Sequence, residues 1–151
     1  MIAIRQASIQ DAEIVSSMAT ALLRELSGNA ERSAIRPELA AELLAMRSRV
    51  FGFLAFDDDR AVGLIMVTEA MALFAGGIYG IITELYVVPE LRSSGVAKLL
   101  VGAAAKLGKR QSWKRLEVGA PRQPTWSRSL AFYLNFGFAE IGPRLYLNLT
   151  P

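Results

Sequence analysis

Val87-Val-Pro-Glu-Leu-Arg92-Ser-Ser-Gly95-Val-Ala97-Lys-Leu-Leu100 is the stretch that decides how this chain is read. A β-branched run, Ile81 to Val88, stops at Pro89, and a short polar turn leads through Gly95 into a helix-forming run. The order strand, turn, helix sets a helix N-terminus, with its unpaired N–H groups and positive dipole end, directly behind the turn. Such an end accepts phosphate. Arg92 adds a full positive charge, and Gly95 keeps a Cβ out of the path of an approaching ligand. The segment reads as a holder for a polyphosphate or pyrophosphate.

Two phosphate loops are set aside by what the chain lacks. There is no Gly-x-x-x-x-Gly-Lys-Ser/Thr, and no Gly-x-Gly-x-x-Gly opens an early helix. What remains is Arg92-x-x-Gly95-x-Ala97 after Val87-x-Pro89. That pattern resembles the acetyl-coenzyme A loop of the GNAT acetyltransferase superfamily, Arg/Gln-x-x-Gly-x-Gly/Ala. An ordinary strand–helix connection carrying a solvated Arg has the same sequence form.

The chain has 151 residues, the size of one domain, expected over residues 1–151. It is 52% apolar and 21% charged, enough for a packed core and against disorder. The net charge of +3 suits an anionic ligand, and no basic tract is dense enough for nucleic acid. Ala70 to Thr83, the longest uncharged stretch, is too short to span a bilayer. Met1 to Arg5 lacks a signal-peptide pattern, so a soluble cytoplasmic protein is expected. There is no Cys and no His. A thiolate nucleophile, an acyl-Cys intermediate and a Ser-His-Asp triad are all ruled out, and no metal site is expected.

Ile2 to Arg5 reads as a strand, and Ser8-Ile-Gln-Asp11 as a capping box with Asp in place of Glu/Gln. Ile14, Met18, Leu22 and Leu26 then mark one face of a helix ending near Gly28 and Asn29. Pro37 opens a second helix with the stripe Leu39, Leu43, Met46. Val50 to Phe56 and Ala61 to Thr68 form a hairpin around Asp57–Arg60. Met71 to Gly80 reads as a Gly-rich connection, and Ile81 to Val88 as the central strand. A helix follows over Val96 to Lys109, a strand over Arg115 to Gly119, and a helix over Ser127 to Asn135. Phe138 to Leu149 reads as one or two last strands broken near Gly142-Pro143.

A second match lies in the last helix, where Phe132, Tyr133, Gly137 and Phe138 fit the superfamily's Asn-x-x-Ala-x-x-Phe-Tyr-x-x-x-Gly-Phe. Trp126 stands in place of the Asn and Ser129 in place of the Ala. Trp126 has only one N–H donor and does not copy an amide. Two motifs in the right order, with the right elements between them, extend the resemblance over nearly the whole chain. The resemblance implies an α/β fold: a mixed, mostly antiparallel central sheet flanked by helices, with a splayed central strand. It implies an acetyl-CoA-dependent N-acetyltransferase moving the acetyl group directly to a primary amine, of a small molecule or a peptide N-terminus.

The resemblance also assigns roles. Tyr86, Val87, Val88, Arg92, Ser93, Ser94, Gly95, Val96 and Ala97 would hold the cofactor, with Trp126, Ser129 and Phe132. A backbone N–H near Tyr86 or Val87 would polarise the thioester carbonyl. Tyr133 would donate to the leaving thiolate; its alternative is a core Tyr. Glu84 shares a strand face with Tyr86 and is the only acid of the central strand. It is read as the base, as a binder of a cationic acceptor, or as the partner of an Arg, and Glu69 is a second acid nearby. A non-catalytic acyl-CoA-binding domain and a transferase of longer acyl groups are the alternatives. A homodimer is expected from the mean hydropathy of +0.31 and the uncharged Met71–Gly80 and last strands.

Overall fold

Ser8 and Asp11 start the first helical segment as predicted, and Asp11 does more than cap. Its carboxylate accepts the Ser8 N–H (2.8 Å) and both arms of the Arg5 guanidinium (2.9 and 2.8 Å). Asp11 is buried, and the Arg5 hydrogen bonds hold its carboxyl below the usual carboxylate range. A depressed pKa stabilises the fold above the unfolded value of about 4 and loses that contribution as pH falls through the folded value. Asp11→Asn should therefore lower stability by about 1–2 kcal/mol at pH 7. The gap from the parent should shrink towards pH 2, as measured by thermal unfolding at both pH values. A gap that persists at low pH would contradict the electrostatic account.

The computed structural model describes every residue, Met1–Pro151. The chain forms two compact units, Met1–Glu117 and Val118–Pro151. In order, the elements are β1 (Ile2–Gln6), α1 (Ala12–Ser27), α2 (Pro37–Leu44), β2 (Val50–Asp57) and β3 (Arg60–Ala72). β4 (Gly77–Val87), α3 (Val96–Arg110), β5 (Leu116–Val118) and α4 (Ser127–Phe136) follow. Single 3-10 turns lie at Ile9–Asp11 and Pro89–Leu91. The five strands form one mixed sheet in the order β1-β2-β3-β4-β5, with β1 to β4 antiparallel. No helix is long and apolar enough to cross a membrane.

In the first unit, side-chain alternation divides the sheet between two layers. Leu54, Leu64 and Met66 pack with Ala12, Val15 and Met18 of α1 and Ala40 and Leu44 of α2. On the other face α3 buries Val96, Leu100, Val101, Ala104 and Leu107. Gly63 lets α3 sit close: a Cβ there would come within 3.0 Å of Leu100 and 3.1 Å of Val96. A register shift between Met66 and Val67 pairs Met66 with Glu84 and Val67 with Ile82, which leaves Thr83 as the extra residue of a β-bulge.

Three expectations are corrected here. Met71 to Gly80 is not a connection, because β3 runs to Ala72 and β4 starts at Gly77. Gly80 serves packing, since a Cβ there would stand 2.4 Å from the Trp113 ring, while Gly76 and Gly77 take left-handed angles (φ +81° and +129°). The α2 stripe does not face the core, since Leu39, Leu43 and Met46 are 41, 38 and 45% exposed while Ala40 and Leu44 are buried. Phe138 to Leu149 forms no strand. Leu145, Tyr146, Leu147 and Leu149 alternate poorly and are exposed, and no ladder bonds them to a neighbour.

Candidate functional site

The turn after β4 delivers the geometry that its sequence promises. Pro89–Leu91 makes one 3-10 turn, and Ser93 and Gly95 take left-handed backbone angles (φ +66° and +96°). Gly95 is the N-cap of α3, so no side chain caps the helix, and no acidic residue occupies its first turn. The first intrahelical bond runs from the Leu99 N–H to the Gly95 carbonyl (3.1 Å), leaving the N–H groups of Val96, Ala97 and Lys98 at the helix mouth. A Cβ on Gly95 would meet no protein atom within 4 Å. The glycine is thus required by backbone angle, not by crowding, and the space before it is open. The Val96 side chain is in the core, so this residue offers only its backbone. The Ser94 hydroxyl donates to the Leu91 carbonyl and stiffens the turn.

The end of β4 supplies a second set of backbone groups. The Val88 N–H donates to the Val62 carbonyl (2.9 Å), and Gly63 pairs with Val87 and Leu64 with Tyr86. In an antiparallel ladder the hydrogen-bonded pairs alternate, so Tyr86 bonds to β3 while Leu85 and Val87 turn their backbone groups to the opposite edge. That edge faces β5, which is only three residues long. The segment entering β5 meets β4 at Ile78 and Gly80, through Lys114 and Arg115. β5 is thus too short to accompany the eleven residues of β4 along their whole length.

Glu84 and Tyr86 share the α1/α2 face, opposite Met66 and Leu64. Burial pushes the Glu84 carboxyl up, and the Thr83 hydroxyl, which donates to it at 2.7 Å, opposes that shift in part. Glu69 accepts the Trp113 indole N–H (2.6 Å) and is committed to packing.

Arg92 is engaged inside the protein. Its Nε donates to the Val87 carbonyl (2.9 Å), and its two terminal nitrogens donate to the two carboxylate oxygens of Glu25 (2.9 and 2.7 Å). The guanidinium lies 5.5 Å from the centroid of the Tyr86 ring. Sequence reading missed Glu25, which lies 67 residues from Arg92 and carries no local signal.

In the second unit, Trp126 is the N-cap of α4 with no side-chain cap, and Ser129 and Leu130 donate their N–H groups to its carbonyl. Phe132 and Phe138 each make edge contacts with Tyr133 (centroids 5.3 and 5.6 Å). Gly137 (φ +127°) ends the helix, and Gly137 and Phe138 both donate to the Tyr133 carbonyl (3.2 and 3.0 Å). Burial pushes the Tyr133 phenol up to about 12, so it keeps its proton at neutral pH. The ring is buried, yet no buried side-chain polar atom of the protein lacks a partner.

The sequence profile described as the Acetyltransferase (GNAT) family matches residues 17–138. The chain belongs to the GNAT acetyltransferase family and is an N-acetyltransferase by that membership. No curated protein matches it in sequence. Among solved structures it is similar to the ribosomal-protein-alanine N-acetyltransferase of Brucella melitensis biovar Abortus 2308, with 20% identity, TM-score 0.76, and 99% of this chain and 100% of that one covered. It is similar to an aminoglycoside acetyltransferase from an uncultured soil metagenomic sample, with 18% identity, TM-score 0.83 and 99% of each chain covered. It is also similar to AAC(6')-Iy bound to the bisubstrate analog CoA-S-monomethyl-acetylneamine, with 18% identity, TM-score 0.81, and 100% and 99% covered. At these identities the likeness concerns the fold.

Proposed function

We propose that the chain transfers an acetyl group from acetyl-CoA directly to a primary amine, with residues 1–151 acting as one catalytic domain. The observation that carries this reading is the open, uncapped mouth of α3 behind the left-handed Gly95. Its N–H groups suit the pyrophosphate. The outward N–H groups of Leu85 and Val87 suit pantetheine and the thioester oxygen, where a donor stabilises the developing oxyanion. In this reading the neutral amine attacks the carbonyl carbon, the C–S bond breaks, the amine nitrogen gives up a proton, and the sulfur gains one. Glu84, held up by burial, takes the amine proton directly or through water. The Tyr133 phenol donates to the sulfur.

At about 12, the phenol is a weaker acid than a thiol of about 8.5, so outright proton transfer to sulfur from the resting phenol is uphill. Its contribution is hydrogen bonding to charge as it develops; the amine's one proton passes to Glu84 and on to solvent, and the thiolate takes up one proton from solvent. The lack of Cys favours a ternary complex over an acyl-enzyme. Aminoglycosides and ribosomal-protein alanine, which the names of similar structures carry, are the first acceptors to test.

The test is an acceptor screen with acetyl-CoA read by thiol release, for which a Cys-free chain gives no background. Saturable, amine-dependent release supports the proposal. CoA binding without turnover of any amine would favour a non-catalytic acyl-CoA-binding domain, and no CoA binding would end both readings. With an acceptor in hand, Glu84→Gln should abolish the acidic limb of the pH–rate profile. That limb should lie above the ordinary carboxylate range, because the base forms only as pH rises through the raised Glu84 value. A rise in acceptor KM alone would assign Glu84 to binding instead.

A further inference from the structure

We propose that Glu25 is a built-in competitor for the anion site: it holds Arg92 when the site is empty and lowers the affinity of the turn for the phosphates of CoA. The inference rests on the reading of the turn as the CoA site. Three features carry it. The Glu25 carboxylate meets the Arg92 fork with both oxygens, at 2.9 and 2.7 Å. Carboxylate and phosphate use the same bidentate geometry on a guanidinium, so the fork that Glu25 fills is the one a phosphate would take. Second, the first turn of α3 holds no acid, so Glu25 is the carboxylate paired with the turn's arginine.

Third, Glu25 sits in the last turn of α1, beside carbonyls that the capping bonds of Gly28 and Asn29 engage. A carboxylate is disfavoured at that negative end of a helix dipole. Arg92 offsets the local repulsion. An arriving polyanion must take the arginine from Glu25 or sit close to its charge, and either course weakens binding. The Nε bond to the Val87 carbonyl and the Tyr86 ring keep the Arg92 stem in place, so the exchange needs only its terminal nitrogens to change partner.

The experiment is calorimetry of CoA with the parent chain, Glu25→Gln, Glu25→Ala and Glu31→Gln. Glu31 is an exposed carboxylate outside the ion pair, and its substitution makes the same change in net charge. Both Glu25 variants should bind CoA about three- to tenfold more tightly than the parent, the scale of a partly exposed ion pair. Glu31→Gln should stay within about twofold, because an exposed charge is screened by solvent and salt. Unchanged or weaker binding in folded Glu25 variants would overturn the proposal and make the pair a structural brace. An equal gain in Glu31→Gln would reduce it to net charge. Absence of CoA binding in all four proteins would instead remove the assignment of the turn itself. Two substitutions at Glu25 keep the test standing should one of them fold poorly.

Discussion

Tyr133→Phe should lose about 10²–10³-fold in acetyl transfer, the range for removing one hydrogen-bond donor to developing charge, while keeping its affinity for acetyl-CoA. The ring is packed edge-on between Phe132 and Phe138, and the helix end is tied to the Tyr133 carbonyl, not to its hydroxyl. Phenylalanine preserves all of that and removes one O–H. Burial is what raises the phenol pKa. Parallel measurements of turnover, acetyl-CoA affinity and thermal unfolding separate the outcomes. Unaltered turnover would remove Tyr133 from the chemistry and favour a water-mediated route. Lost affinity or stability would make it a packing residue.

Gly95→Val should weaken CoA binding by about a hundredfold or more. At φ +96° a β-branched residue is strained, and the left-handed region costs an ordinary L-residue about 1–2 kcal/mol. No protein atom lies within 4 Å of the added Cβ, so a clash with the core does not enter. The strain is relieved by shifting the turn, and the shift spoils the aim of the N–H groups at the α3 mouth. Each charge-assisted hydrogen bond lost is worth about 1.5–3 kcal/mol, and two suffice for the expected effect. Gly95→Ala should fall between parent and valine. Calorimetry on variants shown to be folded decides the matter; an unchanged affinity for Gly95→Val would move the phosphate site elsewhere.

What the sequence made legible was local. Pro89 and Gly95 punctuate the turn before α3 within seven residues, and their effects on backbone angle do not depend on distant partners. Phe132, Tyr133 and Gly137 lie on one short helix and its end for the same reason. The partner of Arg92 was not legible, because the fold, not the local sequence, brings Glu25 across 67 residues. The long hairpin was obscured by Gly76, Gly77 and Gly80, which signal a loop by composition. Gly80 is in fact cleared for the Trp113 ring. The α2 stripe shows the reverse error: helical spacing identified a face but not which side of the helix the core would take. Strand-like sequence after Phe138 remained unpaired because strand formation depends on a neighbour more than on residue type.

The bulge at Thr83 gives β4 two phases. Ile82 and Glu84 differ by an even count, and in an unbroken strand they would look the same way. The inserted residue acts as a half-step in the pleat. Up to Ile82 the strand keeps time with Val67 and its even-numbered side chains take the α3 face; from Glu84 onward it keeps time with Met66 and its even-numbered side chains take the face of α1 and α2. One continuous ribbon thus serves two clients. Were the half-step absent, the carboxylate of Glu84 would follow Ile82 into the oily α3 interior, where an unpaired charge is least tolerated. The threonine that creates the offset also sends its hydroxyl to the carboxylate that the offset exposes. A single residue therefore sets both the direction and the polarity of the strand's C-terminal end.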